Sequence, residues 1–145
     1  MKILSTVARL LLGLMFTVFG LNGFLNFLPQ PPVPPPAAQF LGVFAASHYL
    51  APIFALQLVS GLLFLVNRYV PLALTLIGPV IVNILMFHVL VSPSGIVPGL
   101  LATLFWLATF YPVRAAFAGI FQPKPANSLF PGPSHGKAEA RTQKT

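Results

Sequence analysis

Charge is almost absent from the middle of this sequence. Between Leu10 and Val113 the one formally charged residue is Arg68. Charged residues make up 6% of the chain and hydrophobic residues 57%, whereas a soluble domain carries about 25% charged residues. Such a chain cannot cover an apolar core with a water-exposed surface, which excludes a soluble enzyme. A length of 145 residues is enough for one domain.

Four apolar runs qualify as membrane-spanning segments, since a helix needs about 20 apolar residues to cross a bilayer. They cover residues 3–28, 49–66, 72–91 and 97–111. The runs lack the strict alternation of a membrane barrel strand, and in lipid every backbone polar group must be paired internally. The sequence therefore predicts an all-α fold, an integral membrane four-helix bundle.

Proline and glycine mark the connections between these runs. Residues 29–36 (PQPPVPPP) predict a short extended segment. Residues 37–47 are apolar but about half a spanning length, so they predict an interfacial or re-entrant helix, or an extension of the second span. The Pro- and Gly-containing turn at residues 92–95 predicts a hairpin of the last two spans. We expect a membrane domain over residues 1–121 and a disordered basic tail over residues 122–145.

The positive charges predict the orientation. All eight Lys and Arg residues lie near the N-terminus, in the loop that contains Arg68, or at and beyond the end of the fourth run. Cytoplasmic flanks retain cations, so we expect a multi-pass protein of the inner (plasma) membrane with both termini cytoplasmic. The first run contains Arg9 and is about twice the apolar length of a signal peptide, so it is expected to be retained. The cations form no aromatic-interleaved patch, which argues against a nucleic-acid partner.

Six polar residues within the runs are candidate pocket or packing residues. Arg9 predicts either a snorkelling anchor or a contact with an anionic group from outside the chain. Asn22 and Asn26 lie one turn apart, opposite a face of small residues, and predict hydrogen bonds across helices. The remaining three candidates are Gln57, Asn83 and His88.

The depth of Gln57 in the second run matches that of Asn83 in the third, which predicts a hydrogen bond between these two side chains. His88 lies at a depth similar to that of His48. Two histidines can ligate haem or relay protons, but this spacing is no motif. We expect a neutral, hydrogen-bonded histidine, no haem and no metal site, and we predict no catalytic residue. The absence of cysteine excludes thiol chemistry and iron–sulfur clusters on this chain.

The order of residues over about 7–117 resembles the DoxX family. The segments that carry the resemblance are 8–14 (ARLLLGL) with Phe16, 20–24 (GLNGF), 26–27 (NF), 61–62 (GL), 67–68 (NR), 71–74 (PLAL), 82–88 (VNILMFH) and 93–95 (PSG). It implies a small four-helix inner-membrane protein of bacteria, in which Arg9, Asn22, Asn83 and His88 match family positions. The family shares its name with a quinone-linked thiosulfate oxidoreductase of acidophilic archaea, and some relatives are associated with membrane redox or oxidative-stress complexes.

One departure from the family bears on function. Similar sequences often carry glutamate in place of Gln57 and an acidic residue near Trp106, whereas both positions are uncharged here. This removes the intramembrane carboxylates that proton-coupled chemistry uses. The resemblance therefore favours an accessory or structural subunit of a membrane complex, redox or quinone-linked, with protein partners or copies of itself. The alternatives are a quinone-interacting oxidoreductase subunit and a small-solute or lipid transporter, which would need a cavity at mid-membrane.

Overall fold

The computed structural model describes residues 2–29 and 32–121. Within these ranges the chain is helical and contains no strand, which confirms the all-α prediction. Two short 3-10 helices, Pro93–Gly95 and Arg114–Phe121, flank the last α-helix. The predicted tail, residues 122–145, lies outside the described residues. The five α-helices are α1 (Lys2–Leu25), α2 (Pro35–Ala46), α3 (Leu50–Leu65), α4 (Val70–Leu90) and α5 (Ile96–Val113).

Three helical segments are long and apolar enough to cross a membrane: Lys2–Leu25, Val70–Leu90 and Pro93–Ile120. A fourth crossing exists only if α2 and α3 count together as one span. Helix α3 has 16 residues, which at 1.5 Å per residue gives about 24 Å, less than the roughly 30 Å of hydrocarbon. The predicted second span is therefore shorter than a simple transmembrane helix.

Helices α2 and α3 are separate helices at 86° to each other. The break lies at residues 47–49, where His48 adopts a left-handed backbone conformation with φ 57°. This bend excludes the interpretation of residues 37–47 as a straight extension of the second span. Helix α2 also begins earlier than predicted, at Pro35. Proline is tolerated there because the N–H groups in the first turn of a helix have no acceptor within the helix, so the N–H that proline lacks is not missed.

Four helices contact one another in a closed ring. Helix α1 packs against α3 and α5, and α4 packs against the same two helices. The buried core fills the half of the ring nearest to Arg68, where α3 ends and α4 begins. Its members are Leu12, Phe16, Phe64, Ala73, Leu74, Ile77, Val80, Ile81 and Ala102. The opposite half of the ring contains no comparable apolar core, and this difference creates the site described below.

The outer surface of the ring is apolar. Large side chains such as Leu4, Leu14, Leu104 and Val89 are more than half exposed. A water-soluble monomer does not leave continuous apolar surface of this extent uncovered. The exposed surface is therefore that expected of a multi-pass membrane protein, whose lipid-facing side chains need no polar cover.

Small residues bring α1 and α3 into direct backbone contact. A Cβ atom at Gly20 would lie 2.6 Å from the backbone nitrogen of Leu58, and one at Gly61 would lie 2.5 Å from the backbone nitrogen of Thr17. Helices pack this closely only where a side chain is missing. The small-residue face of α1 is therefore a helix interface.

Candidate functional site

A cavity of about 840 Å³ occupies the half of the ring that the core leaves unfilled. All five helices contribute to its wall. The cavity lies at the end of the ring where the Pro-rich segment joins α1 to α2, away from Arg68. Five of the six residues singled out in the sequence line it, and Arg9 does not. The polar lining residues are Asn22, Asn26, His48, Gln57, Asn83 and His88.

Eight of the other 21 lining residues carry an aromatic ring, among them Tyr49 with its hydroxyl. Phe24 of α1 meets Phe54 of α3 edge to face, with ring centroids 6.0 Å apart. Phe40 of α2 lies 5.7 Å from Phe87 of α4. These rings line the cavity from four different helices, and the Phe40–Phe87 contact places α2 along one side of it. No Lys, Arg, Asp or Glu within residues 2–29 and 32–121 lines the cavity.

The two asparagines of α1 shape the chain at the cavity mouth. The side-chain oxygen of Asn22 accepts a hydrogen bond from the backbone N–H of Leu28, at 2.7 Å. Asn26 ends the helix in a left-handed conformation, φ 51°, which asparagine tolerates better than most residues. The side-chain bond of Asn22 is thus made to the segment that follows its own helix, and the predicted bond across helices is not seen. These residues hold the exit from α1 in place.

The predicted hydrogen bond between Gln57 and Asn83 is not formed. Gln57 is 7% exposed, and its amide makes no hydrogen bond to any described residue. Asn83 is exposed within the same cavity. The two amides are not bonded because α3 and α4 leave an open space here and do not form a packed interface. Both amides line the cavity and neither has a hydrogen-bond partner among the described residues, so both are available to a bound molecule.

The ring of His88 is held by a hydrogen bond to the turn that follows α4. Its Nδ1 lies 2.9 Å from the carbonyl oxygen of Ser92, and since a carbonyl accepts, Nδ1 carries the proton. The ring also lies against Gly95, so closely that a Cβ atom there would collide with it. The expectation of a histidine hydrogen-bonded within the protein is confirmed. With Nδ1 engaged, Nε2 is the free nitrogen of this ring beside the cavity.

The function of the cavity could be inferred from a relative of known function. No family model, no characterised protein and no solved structure matches this chain. The function therefore has to be inferred from the residues of the cavity and from the charge distribution around it.

Arg9 lies at the other end of the ring and has an internal partner. Its guanidinium donates a hydrogen bond to the backbone carbonyl of Phe64, in the last turn of α3. The last carbonyls of a helix have no partner within the helix and carry a partial negative charge, so a cation is favourable there. Arg9 joins α1 to α3. The sequence analysis expected Arg9 to be either a free anchor or a contact with a group outside the chain, and it did not consider the backbone carbonyl of Phe64 as an acceptor.

Sequence reasoning missed the aromatic wall altogether. Phe54 and Phe87 read as ordinary apolar residues of a membrane helix, and nothing in their spacing sets them apart from lipid-facing residues. The glycines give a partial signal. Phe54 lies directly over Gly23, and His88 lies over Gly95. A glycine near the end of an apolar run can thus indicate a ring packed against the backbone.

Proposed function

We propose that this chain is a DoxX-like protein of the inner membrane, a four-helix bundle in which α2 and α3 together form the second, broken crossing. The charges support this arrangement. Lys2, Arg9, Arg68 and Arg114 gather at one end of the ring, whereas the described parts of the connections at the cavity end are uncharged. Both termini are then cytoplasmic, α2 lies at the outer interface, and the cavity opens on the outer side.

The orientation is tested with reporters that are active only in the cytoplasm. A fusion after Arg68 is expected to be active, and a fusion after Ser94 is expected to be inactive, because the cation-free turn is translocated. The two sites lie on the two connections that flank α4, so each fusion is the control for the other. Activity after Ser94 combined with inactivity after Arg68 would reverse the proposed topology.

We propose further that the protein is an accessory subunit that holds a small lipid-soluble molecule for a membrane complex, redox or quinone-linked. The cavity carries this proposal. All five helices line this half-open cavity of about 840 Å³, whereas the other half of the ring is closely packed. The packed half of the ring already joins all four long helices, so the open half is available for a ligand. Aromatic walls with a few uncharged polar groups suit a ring such as that of a quinone.

A quinone-interacting oxidoreductase subunit is the second candidate, and the geometry of His88 favours it. Ser92 fixes the ring through Nδ1, which leaves Nε2 beside the cavity. An imidazole fixed in this way can take up a proton from water at Nε2 and pass it to the oxygen of a bound quinone that is being reduced. In this case the chain would by itself speed the reduction of a quinone by an added two-electron donor such as dithiothreitol, which is oxidised to its disulfide, whereas an accessory subunit would need its partner.

Purification in a mild detergent separates these two candidates. The accessory role predicts that a second protein co-purifies in fixed stoichiometry and that the chain alone reduces no quinone. The comparison of the wild-type chain with His88→Ala in the same assay supplies the control. Quinone reduction by the chain alone that falls at least tenfold in His88→Ala would replace the accessory role with the enzymatic one.

A further inference from the structure

We propose that the cavity binds an uncharged amphiphile with a flat ring, whose hydroxyl or carbonyl oxygen is hydrogen-bonded by the amide of Gln57. This inference rests on the ligand-holding role proposed above and names the ligand class and the residue that would recognise it. Three properties of the cavity support it: the absence of charge in its described lining, the unpaired amide at its floor, and the aromatic wall.

Apart from the imidazoles of His48 and His88, the described lining of the cavity offers no group that could balance an ionic charge. None of its lining residues in the described part of the chain is acidic, lysine or arginine. The helix ends nearly balance: α1, α2 and α4 end here, while α3 and α5 begin here. Three partially negative and two partially positive helix ends supply no partner for a full ionic charge. Because an unpaired charge is very costly away from water, the molecule that binds here is neutral.

Gln57 defines the polar end of the ligand. It lies midway along α3, and the packed core begins one turn further, at Ser60 and Phe64. The residue is 7% exposed, it lines the cavity, and its amide has no hydrogen-bond partner among the described residues. A primary amide both donates and accepts, which suits a hydroxyl or a carbonyl. Asn83 presents a second amide from α4.

The walls favour a flat ring over a flexible chain. Phe24 and Phe54 already meet edge to face, and Phe44 stacks on Tyr49 at 4.9 Å with an angle of 23° between the rings. Aromatic rings gain additional attraction from another ring in such geometries. A rigid ring also loses less conformational entropy on binding than an acyl chain of the same volume. The ring would lie between Gln57 and the rim formed by α2.

Four probes of similar bulk test this assignment in nanodiscs, with empty nanodiscs as the reference for lipid partitioning. The first is 2-naphthol, which is neutral and carries a ring and a hydroxyl, and whose binding is followed by fluorescence anisotropy. The second is 2-methylnaphthalene, which lacks the hydroxyl, and the third is 2-naphthoate, which is ionised at neutral pH. The fourth, 1-decanol, keeps a hydroxyl on a flexible chain and is measured by competition. The variant is Gln57→Leu, and its matched control is Gln39→Leu on the exposed part of α2, outside the cavity lining.

We expect saturable binding of 2-naphthol that is about tenfold weaker in Gln57→Leu and unchanged in Gln39→Leu, since one hydrogen bond is lost. On the wild-type protein, 2-methylnaphthalene and 1-decanol should bind about tenfold more weakly than 2-naphthol, and 2-naphthoate about a hundredfold more weakly. Equal binding of 2-naphthoate would overturn the neutral ligand, and tighter binding of 1-decanol would overturn the ring. Full affinity in Gln57→Leu would overturn the hydrogen bond.

The probe series on the wild-type protein keeps the inference testable even if Gln57→Leu fails to fold, because the comparison of 2-naphthol with 2-methylnaphthalene measures the same hydrogen bond. The experiments also distinguish failure of this binding inference from failure of the accessory role. A co-purifying partner without 2-naphthol binding would overturn this inference alone. Binding of 2-naphthol by a chain that has no partner would instead overturn the accessory role.

Discussion

Replacing Gly61 with alanine is expected to lower the free energy of unfolding by about 2–3 kcal/mol, because it forces α1 and α3 apart. The added Cβ atom would lie 2.5 Å from the backbone nitrogen of Thr17 and 2.9 Å from the carbonyl oxygen of Gly13. Both are backbone atoms, so no side chain can rotate away to make room. Relief requires that one whole helix moves relative to the other. SDS titration in detergent micelles, followed by circular dichroism, measures the loss.

Gly42→Ala is the matched control for this prediction. Gly42 lies within α2, and a Cβ atom there would meet nothing within 4 Å. Alanine has a higher helix propensity than glycine by about 1 kcal/mol, so Gly42→Ala should be neutral or slightly stabilising. The same chemical change is therefore expected to have opposite signs at the two positions. If Gly61→Ala proves as stable as Gly42→Ala, the two helices are not in backbone contact as described.

Replacing Arg9 with methionine is expected to have two effects of opposite sign. Membrane insertion of α1 should improve, because an arginine at mid-bilayer costs about 2.5–3.5 kcal/mol, and less near the interface. The packing of α1 on α3 should weaken by about 1.5–3 kcal/mol, the contribution of a hydrogen bond to a charged group. The weakening arises because the Phe64 carbonyl loses the cation that it now binds. An insertion assay and SDS unfolding measure the two effects separately.

Arg114→Met is the control for the arginine prediction. Arg114 is exposed and donates to the carbonyl of Tyr111, at 2.8 Å, three residues earlier in the chain. Its loss removes a positive charge from the same end of the protein but breaks no contact between helices. We expect it to leave the unfolding free energy nearly unchanged. Equal destabilisation by Arg9→Met and Arg114→Met would mean that the unfolding free energy depends on the positive charge at this end and does not depend on a hydrogen bond between α1 and α3.

The helical content and the approximate bounds of the helices could be predicted because they depend on local properties of the sequence. The third apolar run, predicted at residues 72–91, is α4, Val70–Leu90. The first run was predicted to continue to residue 28, but α1 ends at Leu25 because Asn26 turns left-handed and its neighbour Asn22 bonds to Leu28. Hydropathy does not register such a turn, since the residues after it are still apolar.

Five of the six candidate residues line the same cavity, but the hydrogen bond predicted between Gln57 and Asn83 is not formed. Polar side chains are conspicuous in an apolar run, so Gln57, Asn83 and His88 stand out from the sequence. Gln57 and Asn83 were expected to form a hydrogen bond with each other. That expectation assumes that facing helices pack along their whole length. In the structure the ring is packed at one end and open at the other, and Gln57 and Asn83 lie in the open part.

The order of residues along the chain is sufficient to establish a helical, apolar protein with a small-residue face on α1, because hydropathy and helical spacing can be read one residue after another. Three features required the folded chain: the cavity, the 86° turn between α2 and α3, and the bond from Arg9 to Phe64. Empty space depends on how helices that are distant in sequence diverge. A backbone carbonyl is present in every residue, so no side chain marks the one that accepts a hydrogen bond from Arg9.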